Sequence, residues 1–223
     1  MTWLSNNREH VLELLLQHLL LAVPAVLVSV LVAIVLGRAA WRWPRVGTVV
    51  LGFASLLYSV PALPLLIVIP VLLSIPLRSE TNLVIALAVY GTALLAGTAA
   101  DAFRSVDVRV REAAEAMGYS PRGIFWRVDL PLSLPVLVSG IRVVTVSTVS
   151  LVTIGALVGI SSLGSLLTDG FQRGIREEVL TGVLLTMVLA VVLDLAVVLA
   201  GSALTPWQHP PRGQRRARTG AAS

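Results

Sequence analysis

Five apolar stretches, each long enough to cross a lipid bilayer as a helix, dominate the sequence. About 20 apolar residues are needed for one helical crossing. The stretches cover residues 18–37, 47–75, 82–100, 132–160 and 179–203. Only 13% of the 223 residues are charged, whereas soluble domains carry about 25%. We therefore predict an all-α, polytopic membrane protein with about five transmembrane helices, lying in the bacterial cell membrane.

The second stretch is interrupted by prolines at 61, 64 and 70. Proline has no backbone N–H, so the helix must kink or unwind where neighbouring helices shelter it. Unwound backbone at membrane depth is tolerated where it lines a cavity. Tyr58, Pro61 and Pro64 are therefore candidates for a translocation path, and a simple proline kink is the alternative. The stretch is either one broken helix or two short ones.

Arginine supplies all 17 basic residues, and its distribution predicts the orientation. Arginines are dense after the first stretch, between the third and fourth stretches, and in the C-terminal tail. The other connections carry only Arg8, Arg78, Arg173 and Arg176. Because the arginine-rich side of a membrane protein faces the cytoplasm, we predict an outside N terminus and an inside C terminus. Three regions follow: an extracytoplasmic segment 1–17, a membrane domain 18–207 and a disordered basic cytoplasmic tail 208–223.

Residue types that are missing exclude several functions. Without lysine the chain has no P-loop lysine, and without cysteine it has no thiolate nucleophile or zinc–thiolate site. The three histidines form no HExxH motif, so we predict no metal site and interpret His10 and His18 as interfacial residues. The arginines cluster in short connections between apolar stretches, which indicates membrane topology rather than a nucleic-acid partner.

The connection between the third and fourth stretches, about residues 104–130, begins with a predicted short helix. Residues 107–117 are strong helix formers, and Arg111 and Glu115 are spaced to form an ion pair one turn apart. Gly118 suits the left-handed position that ends a helix.

A second short helix is predicted directly after this glycine turn. Ser120 is a typical N-cap, and Pro121 suits the first helical position. We expect Leu130–Pro131 to end this helix before the next membrane span.

This connection resembles the EAA loop of permease subunits of ABC importers, E-A-A-x3-G-x9-I-x-L-P, and we call it the EAA segment. The matching residues are Glu112, Ala113, Ala114, Gly118, Leu130 and Pro131, with Val128 in place of the isoleucine. The resemblance implies that the region 107–127 docks on cytoplasmic ATPase subunits, two per transporter, which bind ATP and Mg²⁺ and hydrolyse the ATP. The chain itself is then neither an enzyme nor a cofactor-binding protein. An ordinary amphipathic surface helix is the alternative, but it does not explain the spacing.

Most of the region 10–207 resembles the osmoprotectant branch of these permeases, which imports glycine betaine, choline or carnitine. The resemblance includes Gly140-Ile-Arg142, Gly159-x4-Gly164 and Asp194. Permeases of methionine importers share this small architecture and are the alternative. The sequence departs from the branch at 90–102, which is mostly small and apolar.

The same resemblance implies further partners. These are a second permease copy or a homologous permease, and an extracytoplasmic binding protein that delivers solute near residues 78 and 164–178. Residues 159–165 are then a flexible outer turn and part of a gate. An ion-coupled carrier, a membrane-embedded enzyme and a membrane scaffold are the alternatives from other classes.

Arg142 and Asp194 are the ionisable residues inside the predicted spans. Charges at that depth are costly and face a partner or the bundle interior. We favour an ion pair that joins the fourth and fifth spans over a role in the solute path. Ser147, Ser150 and Thr153, together with Thr148, give the fourth span a polar side that either lines the translocation path or hydrogen-bonds neighbouring helices.

Overall fold

The computed structural model describes residues 2–208, and these fold into a helical bundle without strands. The helices are α1 (Thr2–Asn6), α2 (Arg8–Arg42), α3 (Pro44–Ser59), α4 (Ala62–Leu73), α5 (Glu80–Arg104), α6 (Val108–Ala116), α7 (Pro121–Ile124), α8 (Leu130–Val152), α9 (Leu163–Arg173) and α10 (Arg176–Leu204). A π-helical turn, Phe125–Asp129, joins α7 to α8. 3-10 segments follow α8 and α10, at Thr153–Val158 and Pro206–Gln208. The predicted tail lies outside the described residues from position 209 onward.

The prediction of about five membrane helices is confirmed. Four helices are individually long and apolar enough to cross a membrane: α2, α5, the continuous α7–α8 helix and α10. The pair α3–α4, bent by 113°, supplies the fifth. The break lies at Val60–Pro61, because a residue before proline is driven out of the helical region; Val60 has φ −73° and ψ 127°. The second stretch is therefore two short helices.

The packing of α2 against α5 shows that α3–α4 is a full crossing and not a re-entrant loop. Gly37 of α2 faces Ala99 of α5, and Ser29 of α2 faces Gly91 of α5. Both pairs are 62 positions apart, so the two helices run in the same direction. The chain between them must consequently return across the bundle.

Helices α8 and α10 complete the bundle in alternating directions. Gly91 and Leu95 of α5 meet Val144 and Gly140 of α8, respectively, so these helices are antiparallel. Gly201 of α10 packs against Val138 of α8, near the end of the bundle that carries the EAA segment. This end also holds the C-terminal ends of α2, α5 and α10, while α9 lies at the opposite end.

Two details of α2 differ from the sequence prediction. The helix begins at Arg8, ten residues before the predicted apolar stretch, so most of the region 1–17 is helical. His18 is fully buried rather than interfacial, and its Nε2 lies 3.0 Å from the Val149 carbonyl of α8. That carbonyl is available because the N–H of Thr153 bonds to Ser150 and Leu151 as the 3-10 segment begins. A carbonyl only accepts, so Nε2 donates.

Candidate functional site

The EAA segment has the predicted helix–turn–helix form. Asp107 caps α6 by accepting from the Arg109 N–H. Gly118 follows the helix with φ +82°, the left-handed region that glycine enters without strain. Ser120 then caps α7, accepting from the Gly123 N–H at 3.2 Å. The local side-chain chemistry thus sets both helix starts and the turn between them.

The prediction that the second helix ends at Leu130–Pro131 is wrong. The chain passes from α7 through the π turn into α8 without a break. The Leu130 N–H donates to the Phe125 carbonyl, five residues back. Proline at 131 has no N–H to offer the Arg127 carbonyl, and this wider turn lets the helix continue past the missing donor. The EAA segment is therefore mechanically continuous with a membrane helix.

The predicted pairing of Arg111 with Glu115 is also wrong. The Arg111 guanidinium binds the buried Asp129 carboxylate through Nε at 2.5 Å. Its two terminal nitrogens donate to the carbonyls of Val106 and Phe103, at 3.1 and 2.6 Å. Asp129 is a better partner because it is buried, and burial strengthens a charge-assisted hydrogen bond. Arg111 therefore fastens α6 to the end of α5 and to the π turn.

Aromatic rings extend this attachment to α2. The Arg111 guanidinium lies 4.3 Å from the centre of the Trp41 ring, and Arg38 lies 3.5 Å from the centre of the Phe125 ring. Phe103, fully buried at the end of α5, lies between Trp41 and Phe125. Guanidinium groups over aromatic faces are attracted by the ring electrons. These contacts thus form one cluster, which joins the ends of α2 and α5, the helix α6 and the π turn.

The side of the EAA segment that points away from this cluster is open. Ala114 is 2% exposed and seats α6 on the bundle, whereas Glu112 and Ala113 are exposed. Met117 and Trp126 are 71% and 66% exposed, and they line a cavity of about 630 Å³ beside the turn. Exposed apolar side chains grouped around a cavity are typical of a protein-binding surface.

The structure brings Arg142 of α8 and Asp194 of α10 together. Nε and one terminal nitrogen of Arg142 donate to the two Asp194 oxygens at 2.7 and 2.8 Å. The side chains are 47% and 24% exposed in the single chain. The pair joins the fourth and fifth spans. Whether it is a structural bridge or part of the solute path stays a prediction.

The residues predicted for the translocation path fall into two separate groups. Tyr58, Pro61 and Pro64 are exposed at the α3–α4 bend, where the Tyr58 ring lies 5.2 Å from the Tyr90 ring of α5. Ser150 and Thr153 instead line a cavity of about 460 Å³ between α8 and α10.

Neither half-buried Ser147 nor buried Thr148 lines that cavity. The structure therefore places Ser150 and Thr153 with Asp194 in one cleft. The three predicted residues at the α3–α4 bend do not line this cleft.

Sequence reasoning missed Asn82, which is fully buried at the start of α5. Its Nδ2 donates to the carbonyls of Leu66 and Leu77 at 3.0 and 2.9 Å. Pro70, four residues after Leu66, cannot donate to that carbonyl. An asparagine next to a proline-containing span is a sequence signal for a side chain that bonds the carbonyl left free by the proline. Through this bond Asn82 joins α4 to α5.

Comparison with known proteins places the chain in a family. The model of the family described as "Binding-protein-dependent transport system inner membrane component" matches residues 19–207. The chain belongs to this family. It is the permease subunit, the membrane-spanning part, of a binding-protein-dependent transport system.

Several curated permease proteins are similar to this chain over almost their whole length. The osmoprotectant import permease protein OsmW of Salmonella typhimurium is 30% identical over 203 residues, which covers 86% of this chain and 90% of that protein. The carnitine transport permease protein OpuCB of Listeria monocytogenes is 28% identical over 207 residues, covering 92% and 93%. The choline transport system permease protein OpuBB of Bacillus subtilis is 26% identical over 204 residues, covering 92% and 93%.

A solved structure shows the same fold. A chain of the MetNI methionine ABC transporter superposes with a TM-score of 0.75 over 87% of this chain and 96% of that chain. The two sequences are 19% identical. The five-span permease fold is thus shared beyond the similarity of sequence.

Proposed function

We propose that this permease subunit imports osmoprotectants of the quaternary-amine type, such as glycine betaine, carnitine or choline. The observation that carries the proposal is the match of nearly the whole chain to several curated osmoprotectant, carnitine and choline permeases. The choline permease OpuBD of Bacillus subtilis aligns with 99% of the chain. Methionine is the alternative solute, and the fold shared with a chain of the methionine transporter supports it.

The open side of the EAA segment is the docking surface for the ATPase subunits. Glu112 offers a carboxylate, Ala113 lets a partner approach closely, and Trp126 offers a large apolar contact. The opposite side is held by Arg111 against α5 and the π turn. A push on α6 therefore passes directly to the membrane helices. Two such ATPase subunits bind ATP and Mg²⁺ and supply the energy, and this chain binds no cofactor.

The end of the bundle that carries the EAA segment faces the cytoplasm. Among the described residues, four arginines lie at the opposite end and eight at this end. The eight are Arg38, Arg42, Arg45, Arg104, Arg109, Arg111, Arg122 and Arg127. The positive-inside rule supports this orientation. A binding protein then delivers solute at the other end, where Phe171 of α9 is 83% exposed. The transporter holds two permease chains, either two copies or one copy and a homologue.

Substitution of Gly118 tests the docking surface and the solute together. A Cβ at Gly118 meets no atom within 4 Å, but φ +82° strains any other residue. We expect Gly118→Asp to abolish ATPase co-purification and to reduce uptake of radiolabelled glycine betaine at least about tenfold. Both are measured at equal membrane expression.

Gly174 provides a matched control at the opposite end of the bundle. It has φ +71°, and a Cβ there also meets no atom within 4 Å. Gly174→Asp should retain ATPase co-purification. Normal uptake and co-purification by Gly118→Asp would contradict the docking surface. Retained ATPase binding without glycine betaine, carnitine or choline uptake by the wild type would contradict the solute class, and methionine would be tested next.

A further inference from the structure

The Arg142–Asp194 ion pair separates two cavities in the cleft between α8 and α10. Asp194 lines the cavity of about 460 Å³, which lies toward the end of the bundle with α9. Arg142 lines a second cavity of about 240 Å³, which lies toward the end with the EAA segment. The larger volume is within the range of small-molecule sites, about 300–1,000 Å³, and the smaller one is below it.

The larger cavity offers acceptor atoms without free donors. Its three hydroxyl groups each donate to a carbonyl three or four residues earlier in the chain: Ser150 to Val146, Thr153 to Ser150, and Thr186 to Gly182. A hydroxyl has one hydrogen, so only the oxygen lone pairs face the cavity. Together with the Asp194 carboxylate, whose charge Arg142 balances while the pair is closed, they favour a cation over an anion on this side of the pair.

The lining of this cavity suits weak, transient binding of a solute rather than tight binding. Apart from these polar groups its lining is apolar, and none of the described residues contributes an aromatic ring to it. Tight recognition of quaternary ammonium groups uses aromatic cages. A site in a transport path must bind weakly enough for release.

The exposure of the pair argues against a lipid-facing position for this side of α8 and α10. Arg142 and Asp194 lie many residues from the ends of their helices, yet they are 47% and 24% exposed in the single chain. A charged pair open to the bilayer core at this depth is costly. In the proposed transporter the second permease chain covers this face, with the cleft as a path between the two chains.

We propose that the Arg142–Asp194 pair is a gate in the solute path, opened by a zwitterionic quaternary amine. This inference rests on the proposed function. The quaternary ammonium of the solute takes the place of Arg142 at Asp194, and the carboxylate of the solute takes the place of Asp194 at Arg142. Each charge keeps a partner, so opening leaves no charge unpaired. Choline, which lacks a carboxylate, leaves Arg142 without a partner, so glycine betaine and carnitine pass more readily.

Exchange of the two residues separates gating from simple bridging. Arg142→Asp with Asp194→Arg keeps an ion pair but moves the carboxylate out of the larger cavity. We expect wild-type membrane levels and ATPase co-purification for the exchanged protein, with glycine betaine uptake at least about tenfold lower. Wild-type uptake by the exchanged protein would overturn the gate and leave the proposed function intact.

A solute comparison tests the role of Arg142 directly. Arg142→Gln removes the partner of the solute carboxylate, so glycine betaine uptake should fall about tenfold more than choline uptake. An equal loss for both solutes would overturn the proposal, because a structural bridge does not distinguish them. Absence of uptake of either solute by the wild type would instead contradict the proposed function.

Cysteine labelling gives a readout that does not require transport, since the chain contains no cysteine of its own. The probe is a methanethiosulfonate that carries a trimethylammonium group. Ser150→Cys should react within the assembled transporter, and saturating glycine betaine should slow the reaction at least about threefold. Val143→Cys, exposed on the same helix but lining neither cavity, is the control and should show no protection. No reaction at Ser150→Cys, or no protection there, would overturn the proposal.

Discussion

At the scale of single residues, the carbonyl groups that helix irregularities release are taken up by buried polar side chains. Asn82 binds the Leu66 carbonyl that Pro70 leaves free, and His18 binds the Val149 carbonyl where α8 changes to a 3-10 segment. An unpaired buried carbonyl costs about 1–3 kcal/mol. These two residues therefore stabilise contacts between helices that apolar packing alone does not specify.

Asn82 and Pro70 should behave as a coupled pair. Asn82→Leu leaves the Leu66 carbonyl unpaired, so we expect a loss of about 1–3 kcal/mol and a lower thermal midpoint of the detergent-solubilised protein. Pro70→Ala restores a backbone donor four residues after Leu66, so it should recover part of that loss in the Asn82→Leu background. Simple addition of the two effects in a double-mutant cycle would refute the coupling.

Local chemistry made part of the EAA segment predictable. The glycine turn and the Ser120 cap depend on neighbours within a few residues, and both were expected from the sequence. The partner of Arg111 was not, because Asp129 is eighteen residues away and lies in a π turn that the sequence pattern does not reveal. Glu115, one turn away, was the more obvious partner in sequence and is the wrong one.

At the scale of helices, small residues set the distance between α2 and α5. A Cβ on Gly37 would lie 2.7 Å from the Ala99 carbonyl carbon and 2.8 Å from the Ala100 nitrogen. Backbone atoms cannot move aside as a flexible side chain can, so the helices would have to separate. Membrane helices commonly pack through small residues in this manner.

Replacement of Gly37 should therefore destabilise the bundle. We expect Gly37→Ala to cost about 1–3 kcal/mol, measured by thermal unfolding in detergent. Gly97→Ala on α5 is the control, because a Cβ there meets no atom within 4 Å. Its effect should be neutral or stabilising by up to about 1 kcal/mol, since alanine favours helix. Equal stability of the two variants would argue against close α2–α5 packing.

Apolar length predicted the number of helices but not their ends. The predicted first stretch begins at residue 18, whereas α2 begins at Arg8, because polar residues continue a helix without lengthening its apolar part. The position of the break in the second stretch was predictable from Pro61. The size of the bend, 113°, does not follow from the sequence pattern; in the structure both α3 and α4 pack against α5.

At the scale of the whole molecule, every connection lies at one of two ends, and the arginines are concentrated at one of them. Pairing of α2 with α5 in the same direction makes α3–α4 a full crossing, which gives five crossings for the described residues. Residues 2 and 208 therefore lie on opposite sides. The proposed orientation rests on arginine counts and is independent of the solute.

Single cysteines test this orientation. Gln172→Cys, beside Phe171, should react with a membrane-impermeant maleimide in intact cells. Glu115→Cys, on α6, should react only after the cells are permeabilised. The chain has no native cysteine, so each signal reports one position. The reverse pattern would invert the proposed orientation, and the EAA segment could then not meet cytoplasmic ATPase subunits.

The direction of α2 and α5 also bears on how the protein is made. The ribosome completes α2 long before α5, and the chain crosses the membrane once more between the two. During that interval the groove around Ser29 and Gly37 has not yet received the helix that fills it in the finished protein. The bundle consequently cannot close helix by helix in the order of synthesis. A ribosome that stops before residue 80 leaves an inserted first helix whose main neighbour does not exist.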